Sequence, residues 1–203
     1  MTTATLPKPR ALPTSPGENG WIVTRTWHGS SVTCAWRAGG EVTPDLPRLF
    51  DVLNRHRVTY ILIGGLAAIF HGSPFPTEDA DITPKASRAN LTCLAAALNE
   101  LNARIRTESV PEGLSFTCTA EGLAAAQTWN LVTDAGDLDI SFQPSGTRGY
   151  ADLHRDAISA DIYDVIVQIA ALSDIIRSKQ AANRPKDQRV LPTLREILAN
   201  RDG

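Results

Sequence analysis

The chain is poor in several things, and each lack narrows its class. Across 203 residues no apolar run approaches the ~20 residues of a membrane-spanning helix, and the N-terminus has Lys8 and Arg10 but no hydrophobic segment of a secretory signal. A cytoplasmic location with no membrane partner is the expectation. Cysteine is scarce: Cys34, Cys93 and Cys118 are odd in number and lack metal-ligand spacing, so they read as reduced, buried thiols. Net charge is nearly absent, with 20 basic against 22 acidic residues, so composition alone does not announce a nucleic-acid binder. What the chain does have is 42% hydrophobic residues, enough for one globular domain with a sizeable core and little more. Its basic residues gather at the C-terminal end, where Arg177, Lys179, Arg184, Lys186, Arg189, Arg195 and Arg201 face only Asp187 and Glu196.

The chain is organised around Tyr60–Thr83, YILIGGLAAIFHGSPFPTEDADIT. Tyr60–Ile63 is β-branched and aromatic and stops at Gly64-Gly65, after which Leu66–Phe70 favours a helix. Paired glycines let backbone amides approach a triphosphate closely, helped by the positive end of the helix that follows. Pro74 and Pro76 impose an extended loop, and Asp79-Ala80-Asp81-Ile82-Thr83 opens a second strand. Residues two apart in a strand share a face, so Asp79 and Asp81 present their carboxylates side by side. Two like charges gathered in this way call for a cation between them. Oxygen ligands of this kind suit Mg²⁺, two ions of which would also bind triphosphate oxygens. Thr77, two residues before Asp79, can bond the triphosphate or cap the loop, and a negative charge added to it would repel the triphosphate.

The ordered set of GG, HGSPFPT and DAD resembles the signature of the DNA polymerase beta-like nucleotidyltransferase superfamily. Within it, the stretch is most similar to the bacterial nucleotidyltransferase toxins of the MenT and AbiEii kind. One departure is that many members carry an Arg in the loop between the Gly and the Thr, where this chain has Phe75 or Pro76.

Outside that stretch, residues 1–40 read as an N-terminal extension, disordered to about residue 20 and then a hairpin over Trp21–Trp36 around His28-Gly29-Ser30-Ser31. Pro44–Arg57 gives an amphipathic helix with Leu46, Leu49, Phe50 and Leu53 on one stripe. Ser87 or Asn90 can cap a helix bearing Leu91, Leu94, Ala95, Leu98 and Leu101. Short strands follow at Arg104-Ile105-Arg106 and Thr128–Thr133, with a small helix between them. Gly136–Phe142 alternates charge and hydrophobe, placing Asp137 and Asp139 on one face, as site residues or as turn and edge-strand solvation. Pro144–Asp152 reads as a turn-rich loop and Val165–Ile169 as a last strand. Ser173 and Asp174 look like the cap of a helix that Asn183-Arg184-Pro185 stops, and a final helix runs from Lys186 to Ala199.

The fold expected is α/β (α+β): a small mixed, mostly antiparallel sheet carrying the carboxylates, flanked by helices. Residues 41–170 form its core, and the basic helical segment 171–203 is the other wall of the cleft. The resemblance covers about Leu46 to Ile197. It implies a third carboxylate on a neighbouring strand, for which Asp139 fits. It also implies a helix-borne Lys followed by basic residues and Asp, matched by Lys179, Arg184, Lys186 and Asp187. On this basis Asp79, Asp81, Lys179 and Asp187 are the candidate catalytic residues. Gly64, Gly65, Thr77, Lys179 and Arg184 are expected to bind nucleotide, and Asp79, Asp81 and Asp139 to bind metal. Asp187 can orient Lys179 or accept a proton, orientation being preferred. Activity implied by the resemblance is transfer of a nucleoside monophosphate from a nucleoside triphosphate to the 3′ end of tRNA. Such transfer blocks aminoacylation and translation, and it implies a cognate antitoxin. Two alternatives stand beside it: transfer to a protein or a small molecule such as an antibiotic, and a catalytically inactive binding module, suggested by the missing loop Arg.

Overall fold

The structure, a computed structural model, describes residues 20–25, 32–37, 44–162 and 164–201. β1 (Gly20–Arg25) and β2 (Val32–Arg37) pair antiparallel with Trp21 opposite Trp36, which gives the expected hairpin its two strands. Its turn at His28–Ser31, and the residues before Gly20 expected to be disordered, lie outside the described residues.

α1 (Leu46–Arg55) starts where Asp45 accepts the Arg48 amide at 3.0 Å, with proline in the first turn, where no helical N–H is lost. Its apolar stripe of Leu46, Leu49, Phe50 and Leu53 is fully buried. There follow β3 (Tyr60–Ile63), α2 (Gly64–Phe70), β4 (Asp79–Pro84), α3 (Arg88–Glu100), β5 (Arg104–Ile105), α4 (Ala120–Ala124), β6 (Thr128–Thr133) and β7 (Gly136–Ser141). The chain ends with α5 (Tyr150–His154), β8 (Ile158–Ile162), β9 (Val165–Ile169), α6 (Leu172–Ala182) and α7 (Pro185–Ala199).

Seven strands form one sheet in the order β5-β6-β7-β4-β3-β9-β8. Only β4–β7 and β3–β9 are parallel, so the sheet is mixed and mostly antiparallel, as expected. Alternation along its central strands separates two chemistries. Ala80 and Ile82 of β4, with Leu138 and Ile140 of β7, enter one hydrophobic cluster with Leu49 and Phe50 of α1 and Leu94 and Leu98 of α3. The intervening aspartates keep to the other face.

Three expectations change. Pro144–Thr147 does turn, with the Thr147 amide on the Pro144 carbonyl at 3.0 Å, but the chain then forms α5 rather than continuing as loop. β8 was not expected, although ISADI alternates apolar and polar residues, and β9 offers it five partners, Ile158↔Ile169 to Ile162↔Val165. Ser173 and Asp174 do not cap α6. The helix begins at Leu172 after an uncapped Ala171, and buried Asp174 instead pairs with Arg177 one turn on, at 3.0 Å. Asn183 ends α6 in the left-handed conformation, and Pro185 opens α7.

Of the two candidate caps for α3, Ser87 is the one that caps, accepting the Asn90 amide at 3.4 Å. Buried Asn90 does something else: it accepts the Thr59 amide at 2.7 Å and donates to the carbonyls of Thr59 (2.9 Å) and Lys85 (2.8 Å). One side chain thus ties the start of β3 to the segment leaving β4. Asn90→Ala leaves the Thr59 amide and the Lys85 carbonyl short of partners, while the Thr59 carbonyl keeps the Lys85 amide, and is expected to cost about 2–3 kcal/mol in urea unfolding. A loss no larger than that of a surface substitution would contradict this role.

Candidate active site

Parallel pairing of β4 with β7 sets Asp79 beside Asp137 and Asp81 beside Asp139, so four carboxylates lie on one face of two neighbouring strands. Oxygen atoms of Asp79, Asp81 and Asp139 all come within 4.8 Å of one another. Burial, then the charges of Asp79 and Asp139, push the Asp81 carboxyl up to about 7, against the pull of Lys179 and the Gly65 amide. Asp139 is pushed up to about 6, by burial first and then by Asp79 and Asp137, with Arg106 opposing.

The glycine pair is fitted to this cluster. Gly64 has φ +70°, and a Cβ there would lie 1.9 Å from Asp81 Oδ2; a Cβ on Gly65 would lie 2.6 Å from Thr77 Oγ1. The turn can therefore carry no side chain without displacing a carboxylate or its neighbour. Thr77 neither caps the loop nor stands free, because its hydroxyl donates to Asp79 Oδ1 at 2.7 Å and fixes that carboxylate's rotamer.

Across from the carboxylates, α6 and α7 bring a second group together. Asp187 is fully buried; its Oδ2 accepts from Arg184 Nε at 2.7 Å, and its Oδ1 lies 3.4 Å from Lys179 Nζ. Burial opposes ionisation of Asp187, but the Arg184 hydrogen bond and the charges of Lys179 and Arg184 outweigh it and hold the carboxylate below its usual range. Asp187 is thus an ionised anchor that aims two cations. Between the walls lies a cleft of about 380 Å³ lined by Gly64, Asp81 and Asp139 on one side and Lys179, Arg184 and Ser178 on the other. Gln143, Ser145 and Thr147, from the turn after β7, also line it. Of the expected nucleotide-binding residues, Gly64, Lys179 and Arg184 line this cleft; Gly65 and Thr77 stand behind it, against Asp81 and Asp79.

No family model matches the chain, and no curated protein does. Among solved structures it is similar to a lincosamide antibiotic adenylyltransferase, LnuA, bound to lincomycin, at TM-score 0.51 and 15% identity over 75% of this chain and 96% of that one. The fold is that of the nucleotidyltransferases. A Thermotoga maritima protein described as a candidate nucleotidyltransferase is a looser likeness, at TM-score 0.43 and 15% identity over 76% of this chain and 91% of that one, and it carries no argument.

The donor set at the cluster fits a divalent cation. Three convergent carboxylates offer only hard oxygen ligands, and the cleft that Asp81 and Asp139 line meets Lys179 and Arg184 on its far side. Sequence reasoning missed Arg106, which donates to Asp137 Oδ2 and, at 2.8 Å, to Asp139 Oδ1. Its signal was faint: Arg106 lies just past the two-residue strand β5, and its partners Asp137 and Asp139 are on β7, two strands away. His71 is buried between the Ala170 carbonyl (2.8 Å) and Arg201 (2.8 Å) and so ties the segment after α7 to the end of α2. His56 meets Glu100 and His154 stacks on Tyr150, both away from the cleft. Cys118 is buried, which pushes its thiol up to about 11, while Cys93 is half-buried.

A raised carboxyl has a definite consequence for stability. Folded Asp81 retains its proton up to about pH 7, whereas in the unfolded chain it loses it near pH 4. The folded state therefore binds more protons across that window, and this group's contribution falls as pH rises from about 4 to 7. Asp81→Asn is expected to raise Tm at pH 7.5 without divalent cation, by on the order of 1 kcal/mol or a few degrees, and to lose most of that gain at pH 4.5. Thermal unfolding at the two pH values checks it, and a variant less stable at pH 7.5 would contradict it.

Proposed function

We propose that this protein is a metal-dependent nucleotidyltransferase that moves a nucleoside monophosphate from a nucleoside triphosphate to the 3′ end of tRNA. The observation that carries the reading is the pairing of two walls across one cleft: Asp81 and Asp139 on the sheet, clustered with Asp79 beside them, and Lys179 and Arg184 aimed by buried Asp187 on the helices. Oxygen from an acceptor hydroxyl bonds to the α-phosphorus as the bond to the β-phosphate breaks, leaving pyrophosphate. Such transfer is chiefly a matter of positioning and neutralising charge. Asp79, Asp81 and Asp139 would hold Mg²⁺, which when bound acidifies the attacking hydroxyl and offsets charge on the triphosphate. Lys179 and Arg184 receive the triphosphate oxygens, and Asp187 keeps both cations in place through ionised hydrogen bonds. Thr77 holds Asp79 in its rotamer, and the side-chain-free turn at Gly64 leaves backbone within reach of phosphate.

The acceptor is read from α7. Arg184, Lys186, Arg189 and Arg195 are exposed, and among the described residues only Arg184 of these forms an ion pair. A surface of this kind suits a polyanion tracked by its phosphates. In this reading residues 41–170 form the core and 171–203 complete the cleft. Modified tRNA cannot be aminoacylated, so the protein acts as a cytoplasmic toxin restrained by a cognate antitoxin. A second reading, transfer to a small hydroxylated molecule, is supported by the likeness to a lincomycin-bound adenylyltransferase and by the uncharged Gln143, Ser145, Thr147 and Ser178 along the cleft.

The test incubates the protein with Mg²⁺, total tRNA and each labelled nucleoside triphosphate in turn. Label is expected on the tRNA 3′ end, reduced to background by Asp79→Ala with Asp81→Ala, by a chelator, and about a hundredfold by Lys179→Ala. Label on an added antibiotic or other small hydroxylated compound but not on tRNA would select the second reading. No label on any acceptor would overturn both.

A further inference from the structure

Arg106 leaves β5 at the edge of the sheet. Its amide donates to the Asn130 carbonyl at 2.9 Å, continuing the β5–β6 ladder by one residue. Because Asn130 pairs with Asp139 and Asp139 with Asp81, Arg106, Asn130, Asp139 and Asp81 form one row across four neighbouring segments. The guanidinium reaches over Asn130 and forks onto two carboxylates, with Nη1 on Asp137 Oδ2 and Nη2 on Asp139 Oδ1 at 2.8 Å. Both ion pairs are about 70% screened from solvent, the side chains of Arg106, Asp137 and Asp139 being 29%, 30% and 24% exposed.

This arrangement gives Asp139 two claims on its charge. One is the carboxylate cluster with Asp79 and Asp81; the other is a guanidinium already in place. An oxygen that accepts an N⁺–H has less to offer a cation, and the guanidinium's own charge repels one. Asp137 differs from Asp139 in that it lies outside the convergent set of three, yet it holds the same guanidinium.

We propose that Arg106 is a resident countercharge that yields Asp139 to a divalent cation while Asp137 retains it, so that Arg106 is a positioning residue that sets the cation affinity of the site. The inference rests on the reading of the carboxylates as a metal site. Without a cation, Arg106 offsets the repulsion among four carboxylates and keeps the sheet face intact. With one bound, Asp139 changes partner, and the fork on Asp137 keeps the guanidinium from being expelled to solvent. Affinity for the cation is then the difference between two pairings of Asp139, rather than the full attraction of a bare carboxylate cluster.

Mn²⁺ binding to the nucleotide-free full chain, counted by the EPR signal of free Mn²⁺, tests this. Arg106→Gln is expected to tighten binding by roughly fivefold or more, Arg106→Lys by less, and Arg104→Gln not at all. Arg104 is the charge control: it lies two residues earlier, on β5, but bonds the Glu112 carbonyl and Asp134. In the unaltered protein, the Arg106 Nε–Hε resonance, assigned by its loss in Arg106→Gln, is expected to shift on titration with Mg²⁺ alone. Unchanged or weaker Mn²⁺ binding in Arg106→Gln would overturn the proposal, as would an Arg106 resonance indifferent to Mg²⁺, which remains decisive if the variant fails to fold. Asp139→Asn separates the two levels. If it binds Mn²⁺ as the parent does, the metal-site reading itself fails; if it weakens binding while Arg106→Gln does not strengthen it, only the role of Arg106 fails.

Discussion

Electrostatic repulsion among four aspartates on two adjacent strands is the constraint around which the rest of this structure is arranged. The apolar sides of β4 and β7 fix the strands in the core, and the period of two then leaves Asp79, Asp81, Asp137 and Asp139 on the opposite face with no choice of direction. Burial makes their proximity costly, as the raised Asp81 and Asp139 carboxyls record. Each surrounding feature answers that cost: Arg106 across Asp137 and Asp139, Lys179 facing Asp81, the Gly65 amide on Asp81, the Thr77 hydroxyl on Asp79. A scaffold with no use for the cluster would have little reason to keep it.

The helical wall is built by a different logic. Asp187 is wholly buried, a position a carboxylate holds only when its partners outweigh desolvation. Arg184 and Lys179 do so from the end of α6, where the left-handed Asn183 and then Pro185 turn the chain sharply into α7. The turn brings residue 187 back against residue 179, so a sequence separation of eight becomes an ion pair at 3.4 Å. Both cations are then held at a fixed anchor, the preorganisation that the proposed transfer of a highly charged group demands.

Much of this was legible in the sequence because it is local. Alternation in DADIT and GDLDIS announces strands with aspartates on one side, and Tyr60–Ile63 stopping at Gly64-Gly65 announces a strand and a tight turn. Less legible was whatever depends on strand order. Nothing in the sequence pairs β4 with β7 in parallel, and without that pairing Asp139 is only one of two acids on a distant strand. Arg106 was invisible for the same reason: its contacts cross β6, while its neighbours in sequence suggest only an edge strand. Gly64 was read as room for a phosphate; the structure adds that the room is already shared with Asp81. β8 and α5 were missed because each is only five residues long, too short for ISADI's alternation or YADLH's helix formers to stand out, and their partners, β9 and the left-handed Gly149, decide them.

The central claim is that the two walls make one cation-dependent triphosphate site. The most direct measurement is a crystal structure of the protein with Mn²⁺ and a non-hydrolysable nucleoside triphosphate analogue, with the metal located by its anomalous signal. The account predicts a peak among Asp79, Asp81 and Asp139 and triphosphate oxygens against Lys179 and Arg184. A nucleotide bound elsewhere, or Mn²⁺ that avoids these three carboxylates, would contradict it.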